Sequence, residues 1–371
     1  MIVPEPVRRE PACGGRVRCR MNRAEDPAAP PLPYSGLTPE LVLDAMDAVG
    51  LRGDGRLLQL NSYENRVFQI FLEDGRVVVA KFYRPNRWTD AQILEEHAFA
   101  AELAADECPV VPPLLLTPET GAVMTARLCG GHSDQGTLAA VDTASGDTYR
   151  FAVSDRCAGR APELEDEATL AWVGRFIGRI HSVGRRRAFA HRRTLDVAEF
   201  GYASRDWLIA HGSIPPELLP PWQSAVDRAL EATERAFARL AGDLPLWRVH
   251  GDCHVGNLLW TATGPHFVDL DDTLMAPPVQ DLWLMLSGEP VAARRQLGAL
   301  LSGYEQFVDF DDRQLALIEP LRTLRMIHHS AWLARRWNDR AFQTAFPWFG
   351  QPSYWSQQTI EIGEQVELMR V

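Results

Sequence analysis

Short apolar runs at residues 56–60, 66–72 and 76–83 are separated by small polar turns at 61–65 and 74–75. Runs of this length, rich in Val, Leu and Phe and bounded by turn residues, predict an antiparallel meander. A helix is predicted before it, over residues 38–49. Thr38 can cap it, Pro39 suits its first position and Gly50 ends it, while Leu41, Val42, Ala45, Met46 and Val49 form one stripe. A second helix is predicted over 89–106, and further strands over 114–116, 122–128, 137–142 and 149–153. Gly159 and Pro162 punctuate the stretch 154–162. Beyond it the period becomes helical. Residues 164–183 place Ala168, Ala171, Trp172, Phe176, Ile177 and Ile180 on one face, and helices follow at 217–240, 281–286, 292–307 and 313–337.

The fold class this predicts is α+β and bilobal. A β-rich N-lobe spans 37–157, a hinge 158–162, and a mostly helical C-lobe 163–371. Residues 1–36 are dense in proline and lack apolar periodicity. They read as a disordered extension, and Met21 is an alternative start. A chain of 371 residues is long enough for two cores. The net charge of −11 argues against a nucleic-acid partner. No run of 18 apolar residues is present, so no membrane span is expected. The six cysteines show no framework spacing, which points to free thiols in a reducing cytoplasm. No heptad seam is evident, so a monomer is expected.

The densest chemistry lies in His250-Gly251-Asp252-Cys253-His254-Val255-Gly256-Asn257. A short apolar strand, 258–260, follows. A turn near Gly264-Pro265 and a second strand, 266–268, then lead to Asp269. Such a hairpin brings Asp252, Asn257 and Asp269 to one end. Phosphoryl transfer from ATP uses that trio. One carboxylate orients the acceptor hydroxyl and takes its proton, while an amide and a second carboxylate hold Mg²⁺ against the phosphates. A zinc site built from His250, Cys253 and His254 is the competing reading, but no paired-ligand spacing supports it. Asp271 is open to the metal site as well; Asp272 reads as solvated or capping.

Lys81 is the single lysine of the chain among 38 basic residues. It falls inside the run Val77-Val78-Val79-Ala80-Lys81-Phe82, where a phosphate-contacting lysine belongs. An edge-strand lysine is the plainer alternative. On the helix that follows, Glu95 or Glu96 would pair with Lys81, Glu96 being favoured. The turn holding Ser62 is either a phosphate-covering loop without the usual glycines or a simple polar hairpin. Asp281 is either a brace for the 250–257 loop or a helix cap.

These segments together resemble the aminoglycoside-phosphotransferase-like kinases, which share the protein-kinase fold. Within that group the chain is similar to the bacterial stress-response serine/threonine protein kinases of the Cpx envelope-stress response. The resemblance rests on Leu60-Asn61-Ser62-Tyr63-Glu64-Asn65-Arg66-Val67, Lys81-Phe82-Tyr83-Arg84-Pro85 and Gln92-Ile93-Leu94-Glu95-Glu96-His97. It rests equally on the 250–257 loop, residues 267–272, Gln280-Asp281-Leu282-Trp283 and the segment 331–337. It implies Asp252 as proton acceptor, Asn257 and Asp269 as metal ligands, Asp269 as an active-site residue and Ser62 at the ATP phosphates. It implies protein substrates phosphorylated on Ser or Thr, with possible autophosphorylation. A small-molecule kinase acting on an aminoglycoside, choline or sugar alcohol uses the same residues and is the alternative. A nucleotide-binding scaffold without catalysis is a further one, opposed by the intact Lys81, Asp252, Asn257 and Asp269. The extension 1–36 has no counterpart in the resemblance, and the stretch 117–150 is longer than the resemblance implies.

Overall fold

In the computed structural model, residues 32–131, 134–164, 166–240 and 242–370 are described. Thr38 does cap the first helix, α1 (Pro39–Asp47), its hydroxyl accepting from Leu41 N at 3.2 Å. The meander follows as β1 (Gly53–Gln59), β2 (Arg66–Leu72) and β3 (Val77–Phe82). Helix α2 (Asp90–Ala105) begins at a Thr89–Gln92 capping box. Three more strands, β4 (Ala126–Leu128), β5 (Ala139–Asp142) and β6 (Thr148–Asp155), complete an antiparallel sheet of order β1-β2-β3-β6-β5-β4.

Alternation along the strands gives this sheet two apolar faces. Ala139 and Val141 join Val42 and Met46 of α1 in one cluster, while Ala140 and Ala152 meet Ile93 of α2 in another. The sheet is therefore sandwiched between α1 and α2. This fixes where Lys81 of β3 emerges, paired with Val67 on one side and Ala152 on the other.

The C-lobe begins with α3 (Glu167–Gly184). A π-turn (Ala198–Tyr202) leads into α4 (Ala203–Ala210), and α5 (Leu219–Leu240) follows. Four short strands come next: β7 (Trp247–Val249), β8 (Leu258–Thr261), β9 (Gly264–Phe267) and β10 (Leu274–Ala276). β8 pairs with β9, and β7 with β10. Helices α6 (Val279–Trp283), α7 (Pro290–Tyr304), α8 (Ile318–Arg335), α9 (Arg340–Ala345) and α10 (Pro352–Leu368) close the lobe. α3 and α7 pack at glycine contact. A Cβ on Gly174 would lie 1.9 Å from the Leu300 carbonyl oxygen, and one on Gly303 would lie 1.8 Å from that of Ala171.

The bilobal α+β expectation holds, with corrections of detail. Residues 114–116 form only isolated bridges, and the expected strand 122–128 shortens to β4. The catalytic hairpin turns at Ala262-Thr263, so Gly264 and Pro265 lie within β9 and Val268 lies past its end. Residues 312–317 are 3₁₀, and the long helix starts only at Ile318. Helices α4, α9 and α10 carry no clear apolar stripe. The buried face of α10 includes Gln358 and Gln365 beside Trp355, Ile362 and Val366. Of the extension 1–36, residues 32–36 are held in place. Tyr34 stacks on Tyr149 at 6.3 Å and donates to the Glu64 carbonyl, and Gly36 N donates to the Tyr149 hydroxyl. Residues 1–31, with Met21, Cys13 and Cys19, lie outside the described residues. Among the described residues no helix is long and apolar enough to cross a membrane.

Gly174→Ala should lower stability by about 2–3 kcal/mol, because backbone rather than a flexible side chain occupies the space. The shift in urea midpoint measures it.

Candidate active site

The loop 250–257 has little regular structure, so something outside it must fix its backbone. Asp281 does this from α6. Its Oδ2 accepts from His250 N at 2.7 Å and its Oδ1 from Gly251 N at 2.8 Å. The carboxylate is buried and is itself contacted by His181 Nε2 at 3.0 Å, whose other nitrogen meets the Tyr304 hydroxyl. Gln280 Nε2 donates to the Gly251 carbonyl. Gly251 sits at φ +85°, and a Cβ there would lie 2.2 Å from the Asp272 carbonyl oxygen. Only glycine permits that approach. Asp281 is therefore a loop brace and not a helix cap.

His250, fully buried, bonds through Nε2 to the Val268 carbonyl at 3.0 Å. Val268 N donates to the Asn257 carbonyl at 3.0 Å. These two bonds tie the loop to the strand end that carries Asp269. In the β8–β9 register Leu258 faces Phe267, so Asn257 stands beside Val268, one residue from Asp269. Asp269 adopts the left-handed conformation, φ 60°, ψ 64°, which a short acidic residue tolerates better than most.

Asp252, Asn257, Asp269 and Lys81 converge on one mouth. Asn257 Nδ2 donates to the Asp252 carbonyl at 2.9 Å. Lys81 Nζ reaches from β3 to Asp269 Oδ1 at 2.8 Å and bridges the lobes. Burial alone would lower the Lys81 pKa, but Asp269 and Asp271 hold it well above the usual lysine range. Burial would likewise raise Asp252, yet Arg325 and His254 overcome it and keep the carboxyl far below its ordinary value. Arg325 Nη1 lies 2.7 Å from Asp252 Oδ1 and His254 Nε2 lies 3.4 Å from Oδ2.

The two glutamates of α2 separate cleanly. Glu95 accepts from the backbone N–H groups of His191 and Arg192 at 2.8 Å, and also from Ala190, so it anchors a C-lobe loop. Glu96 is buried and faces Lys81 electrostatically without a direct bond. Burial pushes its carboxyl up to about 7 against the pull of Lys81. Ser62 is half-buried in the β1–β2 turn. Asp271 is buried, bound by Arg87 and by Asn65 Nδ2 at 3.1 Å, so it braces the fold instead of joining the mouth. Asp272 pairs with the same arginine at 2.5 Å.

The β1–β2 turn is also clasped from the C-lobe. Arg84 and Arg336 hold Glu64 at 2.9 and 2.5 Å, and Trp332 Nε1 donates to it at 2.6 Å. Asp339 takes Arg84 at 2.7 Å, and Tyr63 packs on Phe346 with centroids 5.1 Å apart. The sequence carries no sign of the Arg325 contact or of the clasp by α8 and the segment after it. Those partners lie 73 residues or more from the groups they meet, and no spacing rule spans such gaps.

A divalent cation fits these residues. Asp269 is half-exposed and already takes a cation, the Lys81 ammonium, and Asn257 is bonded through its backbone to Val268, the residue before it. Among the described residues no group of three His, Cys, Asp or Glu side chains forms a metal cage. An ion held by one amide, one carboxylate and phosphate oxygens needs none. The zinc reading fails on geometry, since His250 is committed to the Val268 carbonyl and Cys253 is buried with its thiol pushed up by burial.

This arrangement is that of a nucleotide-dependent phosphotransferase, and the phosphotransferase enzyme family matches residues 56–318. The chain belongs to that family and is an ATP-dependent kinase in fold and site. It is 40% identical over 337 residues to stress response kinase A of Escherichia coli strain K12, covering 91% of this chain and 95% of that one. It is 39% identical over 336 residues to the serine/threonine protein kinase RdoA of Salmonella typhimurium strain LT2, covering 91% and 94%. Among solved structures, the amicoumacin kinase hAmiN in complex with AMP-PNP, Ca²⁺ and Ami aligns with a TM-score of 0.63 at 18% identity, over 88% of this chain and 92% of that one. A microcompartment-associated aminopropanol kinase aligns at 0.62 and 16%, over 89% and 96%. At such identities these two establish the fold alone.

Two outcomes follow from this geometry. The folded-state pKa of Glu96 is raised, so its contribution to stability is complete below about pH 4.5 and is lost as pH rises through about 7. Glu96→Gln should remove that loss, on the order of 2–3 kcal/mol, flattening the urea midpoint of nucleotide-free protein between pH 5 and 7.5. Asp281→Asn replaces an acceptor of two backbone N–H groups with a half-donor. It should cost about 2–4 kcal/mol and raise amide exchange at His250 and Gly251.

Proposed function

We propose that this chain is a Mg²⁺- and ATP-dependent serine/threonine protein kinase of the bacterial envelope-stress (Cpx) response, acting in the cytoplasm. The observation that carries the phosphotransfer reading is the convergence of Asp252, Asn257, Asp269 and Lys81 on a loop held rigid by Asp281. The protein-acceptor and stress-response parts lean on the relatives' names at about 40% identity across nearly the whole chain. The thiols of Cys108, Cys129, Cys157 and Cys253 are unpaired, which suits a reducing compartment.

In this mechanism ATP lies between the lobes, with adenine at the 154–162 crossing and the phosphates beneath the turn that holds Ser62. Lys81, kept charged by Asp269 and Asp271, contacts the phosphates, and Glu96 sets the potential around it. Asn257 and Asp269 would hold the metal, which when bound offsets phosphate charge. Asp252 orients the Ser or Thr hydroxyl for in-line attack. The new Oγ–P bond forms as the bond from the γ-phosphorus to the β–γ bridging oxygen breaks, and ADP departs. The hydroxyl proton passes to Asp252. Its low pKa makes it a weak base in the ground state. It therefore works chiefly by orientation, taking the proton late, as a loose transition state requires.

A small-molecule acceptor uses the same catalytic groups, and the aromatic cluster near Trp332 suggests a choline cage. However, the aromatic faces there already carry the protein's own cations. Arg84 lies over Phe342 at 5.2 Å and Arg336 over Trp332 at 5.3 Å. Little cation–π surface is left for a quaternary ammonium.

Purified protein with Mg²⁺, γ-labelled ATP and a generic protein substrate should yield acid-stable label on Ser or Thr. Asp252→Asn should reduce that rate about 10²–10⁴-fold, and Asp269→Ala should abolish metal-dependent nucleotide binding in calorimetry. Full-rate transfer by purified Asp252→Asn would remove it from the proton-acceptor role. Nucleotide binding without protein labelling would shift the acceptor to a metabolite.

A further inference from the structure

The acceptor side of Asp252 carries a cation that neither the phosphates nor the metal requires. Arg325 stands on α8, which buries Leu321, Leu324, Ile327 and Ala331 in the C-lobe core. That packing fixes the rotation of α8 and delivers the guanidinium to Asp252 Oδ1 at 2.7 Å. The group remains 38% exposed. A guanidinium has five donors, and Asp252 engages one of them among the described contacts.

Among the described residues, several carboxylates of the cleft already have cationic partners. Glu64 is taken by Arg84 and Arg336, Asp339 by Arg84 and Arg66, Asp271 and Asp272 by Arg87, and Asp269 by Lys81. His329, one turn after Arg325, is buried, and burial and the neighbouring Arg325 lower its pKa to about 4, so it is neutral near pH 7. His254 lies 3.4 Å from the other Asp252 oxygen. An incoming hydroxyl must take a lone pair of Asp252. The guanidinium donors that Asp252 does not engage stay open to a substrate anion beside that hydroxyl, and a planar fork suits carboxylate or phosphate.

We propose that Arg325 is a specificity residue, seating an anionic group, carboxylate or phosphate, carried by the substrate beside the hydroxyl that is phosphorylated. This rests on the reading of Asp252 as the partner of that hydroxyl. The anion is part of an acidic peptide segment or of a small hydroxy acid, and the two sources are separable by experiment.

The test compares kcat/KM for a serine peptide flanked by aspartates with that for its asparagine twin, and for glycerate with glycerol. Taking the ratio cancels any general effect of Arg325 on Asp252. The wild-type protein should favour the anionic member of one pair by about tenfold or more. Arg325→Glu should abolish or invert that ratio, and Arg325→Lys should retain part of it, which guards against a merely misfolded variant. The peptide pair or the hydroxy-acid pair showing the preference names the source. Anisotropy of the labelled acidic peptide, without ATP, reports binding independently of chemistry. If no hydroxyl is labelled yet acidic-peptide binding still depends on Arg325, the anion seat stands and the protein-kinase reading falls. Label transfer with equal ratios in wild type and Arg325→Glu would overturn the Arg325 assignment and leave the kinase reading in place.

Discussion

The site depends on one buried carboxylate. Asp281 receives two consecutive backbone N–H groups, His250 and Gly251, and is itself buried. In a low-dielectric interior such charge-assisted bonds are strong, and leaving either donor unmade is costly. The loop is thereby fixed through its backbone and not through the side chains of Asp252 and Asn257. His181 and Tyr304 extend the constraint into α3 and α7, the pair packed at glycine contact. The closely packed C-lobe core thus sets the position of the loop.

The second organising feature is the distribution of cations between the lobes. Arginine forks bind carboxylates in planar, multi-donor contacts, and this chain uses them to close the cleft. Arg84 and Arg336 bind Glu64, and Arg87 reaches from the N-lobe to Asp271 and Asp272. Lys81 differs in kind. Its compact ammonium rests on Asp269 alone among these carboxylates and is bonded to no other side chain between the lobes. A point charge on a flexible stem can exchange a carboxylate for a phosphate more readily than a fork held by two partners. The arginines hold the lobes together, and the lysine is the cation that the proposed nucleotide would meet.

Charge and burial also divide the acidic residues of the centre. Asp252 and Asp271 are ionised because arginines outweigh their burial, whereas Glu96 is pushed up to about 7 because burial outweighs Lys81. Glu96 therefore sits near its own titration point at neutral pH, and any change in the charge facing Lys81 alters its protonation. Glu96 and the charges around Lys81 are thus electrostatically linked without a direct bond.

The sequence by itself determined the two-lobed division, most of the strands and helices, and the close spacing of Asp252, Asn257 and Asp269. Those properties are local. The meander shows as short apolar runs between polar turns, the loop 250–257 as residue types at close spacing, and Lys81 as a lone lysine in a valine-rich strand. Helices α9 and α10 stayed illegible because α9 is short and the buried face of α10 mixes glutamine with tryptophan. The sequence favoured Glu96 over Glu95 without separating them, since adjacent residues point to different neighbours only once α2 is docked. The tertiary structure alone decided that Arg325 faces Asp252, that Asp271 is a brace, and that the β1–β2 turn is clasped by α8 and the segment after it. Each of these is a contact between side chains far apart in the chain, set by how whole helices pack, and packing leaves no periodic trace in the residues it brings together.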